Sequence, residues 1–154
     1  MYEKILVALD GSALAEDVLP HVTGIATRTG SEVILLRVAP PVHPTAEDVV
    51  AVMPVNREEE MRRLTDEFLS YLERVADRLR SVGLKVSTAV EFGDPAGRIV
   101  DYAQENGVGL IAMSTHGRSG ISRWVYGSVA GRVLRAATVP ILLIRSKRTD
   151  EDLK

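Results

Sequence analysis

The chain has 154 residues, 26% of them charged and nearly balanced at a formal net charge of −2, and it contains no cysteine. That length holds one domain with a substantial core. The charge balance gives no electrostatic case for nucleic-acid binding, and the missing cysteines exclude disulfides, thiolate catalysis and cysteine-bound zinc.

Ile5 to Leu9 is an unbroken apolar run, the pattern of a strand buried on both faces, and it ends on Asp10-Gly11-Ser12. Met1 to Lys4 leaves no room before it for a secretory leader, so a cytoplasmic protein is expected. Leu14, Val18, Val22 and Ile25 recur at helical spacing and predict an apolar stripe. A second buried strand is expected over Val33 to Val38. Ala39 to Asn56 holds Pro40, Pro41, Pro44 and Pro54 without a steady period. It reads as a long loop, either a lid at the mouth of a site or a surface insertion. Met61, Leu64, Phe68, Leu72, Val75, Leu79 and Val82 then step at three and four residues, which predicts a long amphipathic helix.

Val86 to Phe92 has the mixed pattern of an outer strand. Asp94 as cap and Pro95 in the first turn open a third helix, with Ile99, Val100 and Ala103 facing inward and an end near Gly107. Leu110 to Met113 is the fourth strand, Ser128 to Ala137 a short helix, and Ile141 to Ile144 the last strand. No apolar run approaches the roughly 20 residues of a membrane-spanning helix. Ser146 to Lys154 is charged and lacks apolar anchors, so the domain is read as residues 1–146, with a flexible tail over 147–154.

Strands alternating with helices require right-handed crossovers and a parallel sheet. The expected class is α/β, an open five-stranded parallel sheet in the order 3-2-1-4-5 with helices on both faces. Ligands of such sheets sit outside the carboxyl ends of the strands where the order reverses. That crevice lies between the first and fourth strands, walled by Ala8, Leu9 and Asp10, by Val38 and Ala39, and by Met113 onward.

Into it opens Leu110 to Val129, LIAMSTHGRSGISRWVYGSV, a strand followed by a glycine-rich turn and a helix start. Backbone N–H groups at Gly117, Gly120 and Gly127 can approach an anion without a Cβ in the way. Ser114, Thr115, Ser119 and Ser128 add hydroxyls, and the first turn after Gly127-Ser128 adds unpaired amides and a favourable dipole. Arg118 can grip phosphate bidentately, with Arg123 a weaker second, and His116 sits among them. The same residues also read as a plain surface connection. A P-loop is absent because no lysine precedes Ser128, and the dinucleotide fingerprint is absent because the first strand ends in Asp10-Gly11-Ser12.

These residues resemble the universal stress protein family, in particular its ATP-binding branch. The family loop is Gly, two residues, Gly, nine residues, then Gly with Ser or Thr. Here Ser114 takes the first place, Gly117 the second, and Gly127-Ser128 close it after Arg118 to Tyr126. The likeness runs from Lys4-Ile5-Leu6-Val7-Ala8-Leu9-Asp10-Gly11-Ser12 to Val139-Pro140-Ile141-Leu142, and implies a Rossmann-like fold of the adenine nucleotide alpha hydrolase type. It further implies that Asp10 accepts from ribose hydroxyls or helps hold magnesium, that Val38 supplies backbone contacts and an apolar wall for adenine, and that Gly117, Gly127 and Ser128 hold the phosphates. Ala8, Leu9, Met113, Ser114, His116, Arg118 and Val129 complete the implied site. Asp10 has a second reading as a helix cap, and Val38 as core.

The expected function is an ATP-binding regulatory or stress-response switch, with magnesium as a possible companion of the nucleotide and an unidentified protein partner. No nucleophile–base or acid-pair arrangement is legible, so no catalytic residue is assigned, and slow hydrolysis or autophosphorylation is the most expected. No dedicated metal site is assigned either, because His21, His43 and His116 lack carboxylate spacing. Alternatives are a nucleotide-free dimerising module and an adenylyl-group hydrolase or transferase, the latter opposed by Asp10-Gly11-Ser12 where those enzymes carry Ser-Gly-Gly. Ile141 to Ile144 is an apolar edge, and the resemblance implies a homodimer through it.

Overall fold

The first apolar run forms β1 (Lys4–Ala8) in the structure, a computed structural model that describes residues 1–41, 57–116 and 128–147. After it come a short 3₁₀ turn (Ala15–Val18), α1 (Leu19–Thr29), β2 (Glu32–Ala39), α2 (Arg57–Arg80), β3 (Lys85–Phe92), α3 (Pro95–Glu105), β4 (Leu110–His116), α4 (Ser128–Ala136) and β5 (Ile141–Ser146). Among the described residues the five strands form one sheet in the order β3-β2-β1-β4-β5. Every pairing is parallel. The expected class and order are observed.

Alternate side chains of the central strands go to opposite faces, which divides the core in two. On one face Ile5, Val7, Val33 and Leu35 pack against Val18, Val22 and Ala26 of the 3₁₀ turn and α1, and against Leu72, Val75 and Leu79 of α2. On the other, Leu6, Ile34, Leu36 and Ile111 pack against Ile99, Val100 and Ala103 of α3 and Ala130 and Val133 of α4. Both faces are covered, so the strands read as continuous apolar runs.

Several boundaries differ from the sequence expectation, each for a tertiary reason. The first helical stripe is split: Leu14 caps a 3₁₀ turn, and the α-helix starts only at Leu19 with a proline in its first turn. Ala39 belongs to β2 rather than to the proline-rich loop, because its carbonyl accepts from Gly93 N at 2.9 Å and its side chain is buried. The long helix ends at Arg80, leaving Val82 60% exposed, and Leu84 enters the core instead. β4 continues past Met113 through Ser114, Thr115 and His116, since β5 supplies backbone partners as far as Ser146. Ser146 is accordingly a buried strand residue bonded to Asp17 rather than the start of the tail. The proline-rich stretch from residue 42 to 56 and the tail beyond residue 147 lie outside the described residues.

Candidate functional site

A cavity of about 280 Å³ opens at the carboxyl ends of β1, β2 and β4, where the strand order reverses. Its apolar wall comes from Leu36 and Val38 of β2, Pro95 and Ile99 of α3, and Met113 of β4. Its polar groups are Asp10, Ser114, Thr115 and Ser128, and Asp10 is the one charged residue lining it among those described. That volume is of the size that takes a base and a sugar.

The strand ends decide what the wall offers. Leu36 turns its carbonyl to the β1 side, where it accepts from Leu9 N at 2.9 Å, and Ala39 turns its carbonyl to the β3 side, where Gly93 N donates to it. By that alternation Val38 presents its N–H and C=O to the β1 side. β1 has already ended at Ala8, so these two groups face the crevice. A donor and an acceptor side by side on one residue match the N1 and amino group of adenine. Val38 is half-buried, and its side chain packs on the second core cluster, so core and wall are the same residue.

Asp10 follows β1 at the rim of the cavity and is exposed. Its Oδ1 accepts from Ser12 N at 2.8 Å and from Ser12 Oγ at 2.6 Å, and Ser12 Oγ in turn accepts from Ala15 N at 3.1 Å. The Ser12 hydroxyl thus takes up the first N–H of the 3₁₀ turn, whose cap position Leu14 has no side-chain acceptor to offer, and Asp10 shapes the turn that precedes it. Gly11 between them has φ +89, a conformation side chains rarely adopt.

Ser114 lies half-buried in the wall with its hydroxyl donating to Ala15 O at 3.2 Å. Its proton is engaged, so toward a ligand it offers lone pairs, which suit a ribose hydroxyl better than a phosphate oxygen. The expectation of a hydroxyl donor to phosphate is narrowed accordingly. His116 is the last residue of β4 rather than a loop residue. Ser128 and Val129 begin α4 at the cavity, and the N–H groups of that first turn have no acceptor within the helix. Arg132, one turn further, makes a bidentate pair with Asp94 at 2.6 and 2.7 Å, while Asp94 caps α3 by accepting from Gly97 N at 3.0 Å. One carboxylate thus ties together the two helices that flank the cavity, and the guanidinium beside it holds that carboxyl below its ordinary pKa.

The model of the universal stress protein family matches residues 1–145. The chain belongs to that family. Universal stress protein MJ0577 of Methanocaldococcus jannaschii is 32% identical, over 97% of this chain and 98% of its own, and its solved structure superposes with a TM-score of 0.78. Universal stress protein YxiE of Bacillus subtilis is 30% identical over 94% of this chain and all of its own length. A universal stress protein solved in complex with cAMP has a TM-score of 0.69, covering 94% of this chain; at 19% identity that likeness is one of fold.

Within this family member the structure brings together Ala8, Leu9, Asp10, Val38, Met113, Ser114, Ser128 and Val129 around one cavity. Gly117, Arg118 and Gly127, with Gly120 and Arg123, lie outside the described residues. Leu14, Ala15, Leu36, Pro95, Ile99 and Ala130 also line the cavity and were not singled out from the sequence. Leu36 was accessible by two-residue spacing from Val38. Pro95 and Ile99 read as an ordinary helix start and core position, and only the packing of α3 beside β2 makes them a wall. Among the described residues no group of three His, Asp or Glu could hold a metal ion, and no helix is long and apolar enough to cross a membrane.

Proposed function

We propose that the crevice binds an adenine nucleotide, ATP as first choice, and that occupancy sets the conformation or partner choice of a stress-response regulator. The observation that carries this reading is the paired N–H and C=O of Val38, facing a largely apolar cavity beyond the end of β1. Adenine fits between Val38, Ile99 and Met113; the ribose hydroxyls fall to Asp10, whose Oδ2 is not used by the turn; and the phosphates run to the first turn of α4 at Ser128 and Val129. Gly117, Arg118 and Gly127 are assigned to the phosphates, and His116, Ala8 and Leu9 to the rim. Magnesium, where present, is carried chiefly by the phosphates, with Asp10 the nearest carboxylate to assist. The working unit is a homodimer joined at the edge strand, whose Ile141 to Ile144 are all half-exposed. The setting is cytoplasmic, and residues 1–146 are its single domain.

The test is to denature the purified protein, identify any released nucleotide, and titrate the stripped protein with Mg·ATP by calorimetry. Released adenine nucleotide, or saturable one-to-one ATP binding with turnover slower than about one per minute, supports a switch, since ordinary enzymes run near 10 per second. Absence of both overturns the reading.

A further inference from the structure

At the end of β2 the residue beside Val38 does something different on the opposite face of the sheet. Arg37 extends over the ring of Phe68 in α2, its guanidinium carbon 3.5 Å from the ring centroid and 5.5 Å from that of Tyr71. Its other side lies against Gly11: a Cβ on Gly11 would stand 2.9 Å from Arg37 Nη1 and 3.1 Å from the guanidinium carbon. The flat cation is thus sandwiched between an aromatic ring and the turn that carries Asp10. Stacking on the Phe68 ring orients the guanidinium plane.

The turn needs such a support. Asp10, Gly11, Ser12 and Ala13 are all exposed, and Gly11 adopts a positive φ that nothing in its own side chain enforces. We propose that Arg37 is a positioning residue for the nucleotide site: by filling the space over Gly11 it fixes the Asp10-Gly11-Ser12 turn and so holds the Asp10 carboxylate where ribose hydroxyls reach it. The end of β2 then serves both halves of a nucleoside, the base through the Val38 backbone and the sugar through Arg37 acting on Asp10. Tyr71 reports the same closeness of charges: burial raises its phenol pKa first, Glu16 accepts its proton at 3.0 Å, and both Asp10 and Arg37 act on it electrostatically. Lysine cannot replace Arg37, because an ammonium has no plane to lie between ring and backbone.

This inference rests on the nucleotide reading, and its test separates the two. Wild type, Arg37→Lys, Phe68→Leu and Asp10→Ala are titrated with ATP and with 2′,3′-dideoxy-ATP, which lacks the hydroxyls that Asp10 would accept from. Arg37→Lys is expected to lose about tenfold in ATP affinity, the worth of one charge-assisted hydrogen bond, and to bind dideoxy-ATP as wild type does. Phe68→Leu should show a smaller loss with the same selectivity. Asp10→Ala should match Arg37→Lys, and the double variant should be no weaker than Asp10→Ala alone. Equal losses for both nucleotides in Arg37→Lys would overturn the proposal, because a general loosening of the fold does not distinguish them. Unchanged affinity for both would overturn it as well. Wild-type protein that binds neither nucleotide would instead remove the nucleotide reading beneath it.

Discussion

Replacing adenine by hypoxanthine in the triphosphate exchanges an amino donor for a carbonyl acceptor and an acceptor N1 for an N1–H donor. At Val38 that reverses the pattern the strand presents: C=O would face O6 and N–H would face N1–H. Two hydrogen bonds are lost, each worth about 1–1.5 kcal/mol net. The total of about 2–3 kcal/mol corresponds to a 30- to 150-fold weaker complex. Val38 is half-buried, so water reaches part of this edge and keeps the penalty near that range rather than above it. Competitive calorimetry of ITP against ATP at fixed magnesium and ionic strength measures the ratio directly. ITP bound within threefold of ATP would refute the assignment of the base to Val38, whatever the phosphates do.

If the proposed loop assignment holds, Gly127→Val should weaken ATP binding roughly tenfold or more, since a branched side chain would obstruct the approach of a phosphate to the backbone. Its far-ultraviolet circular dichroism should match wild type, and retained affinity counts against the loop assignment. Sedimentation at micromolar concentration should find a homodimer, and a monomer alone would contradict pairing through Ile141 to Ile144. Leu72 is fully buried between α2 and the sheet, so Leu72→Ala should lower stability by about 3 kcal/mol in urea unfolding. Leu134→Ala, at a residue 37% exposed, should cost less than about 1 kcal/mol. Asp94→Asn keeps a cap acceptor but loses the charge paired with Arg132. The Asp94 pKa is lowered in the folded state, so its contribution is present above the ordinary carboxylate value of about 3.9 and vanishes as pH falls through the lower folded value. Wild type should melt higher than Asp94→Asn at neutral pH, with the gap narrowing as pH falls below the ordinary carboxylate value, and a gap that does not narrow in acid would contradict this.

The parts of this molecule that were legible in the sequence share one property: their signal is local and periodic. Ile5 to Leu9, Val33 to Val38 apart from Arg37, and Leu110 to Met113 are apolar without alternation because helices cover both faces of the sheet, and those runs alternating with helical stripes led to the parallel class. Asp94-Pro95 marked the start of α3 through cap chemistry that acts within four residues. What was not legible depends on partners far along the chain. Ser114, Thr115 and His116 look like loop, yet β5 holds them in a strand. Ser146 looks like tail, yet Asp17 bonds it in place. Arg37 looks like a solvated charge at a strand end, and only the crossing of α2 over β2 sets Phe68 beneath it. The lining of the cavity divides the same way: strand-end logic placed Asp10 and Val38 at the crevice, whereas Pro95 and Ile99 became a wall through helix packing.

Diffraction from a crystal soaked in Mg·ATP tests the central claim most directly. The expected density is an adenine ring against Val38, Ile99 and Met113 with its N1 and amino group on the Val38 backbone, and a phosphate chain ending at the first turn of α4 beside Ser128. A soaked crystal in which that cavity holds no nucleotide, or in which ATP lies elsewhere on the surface, would contradict it.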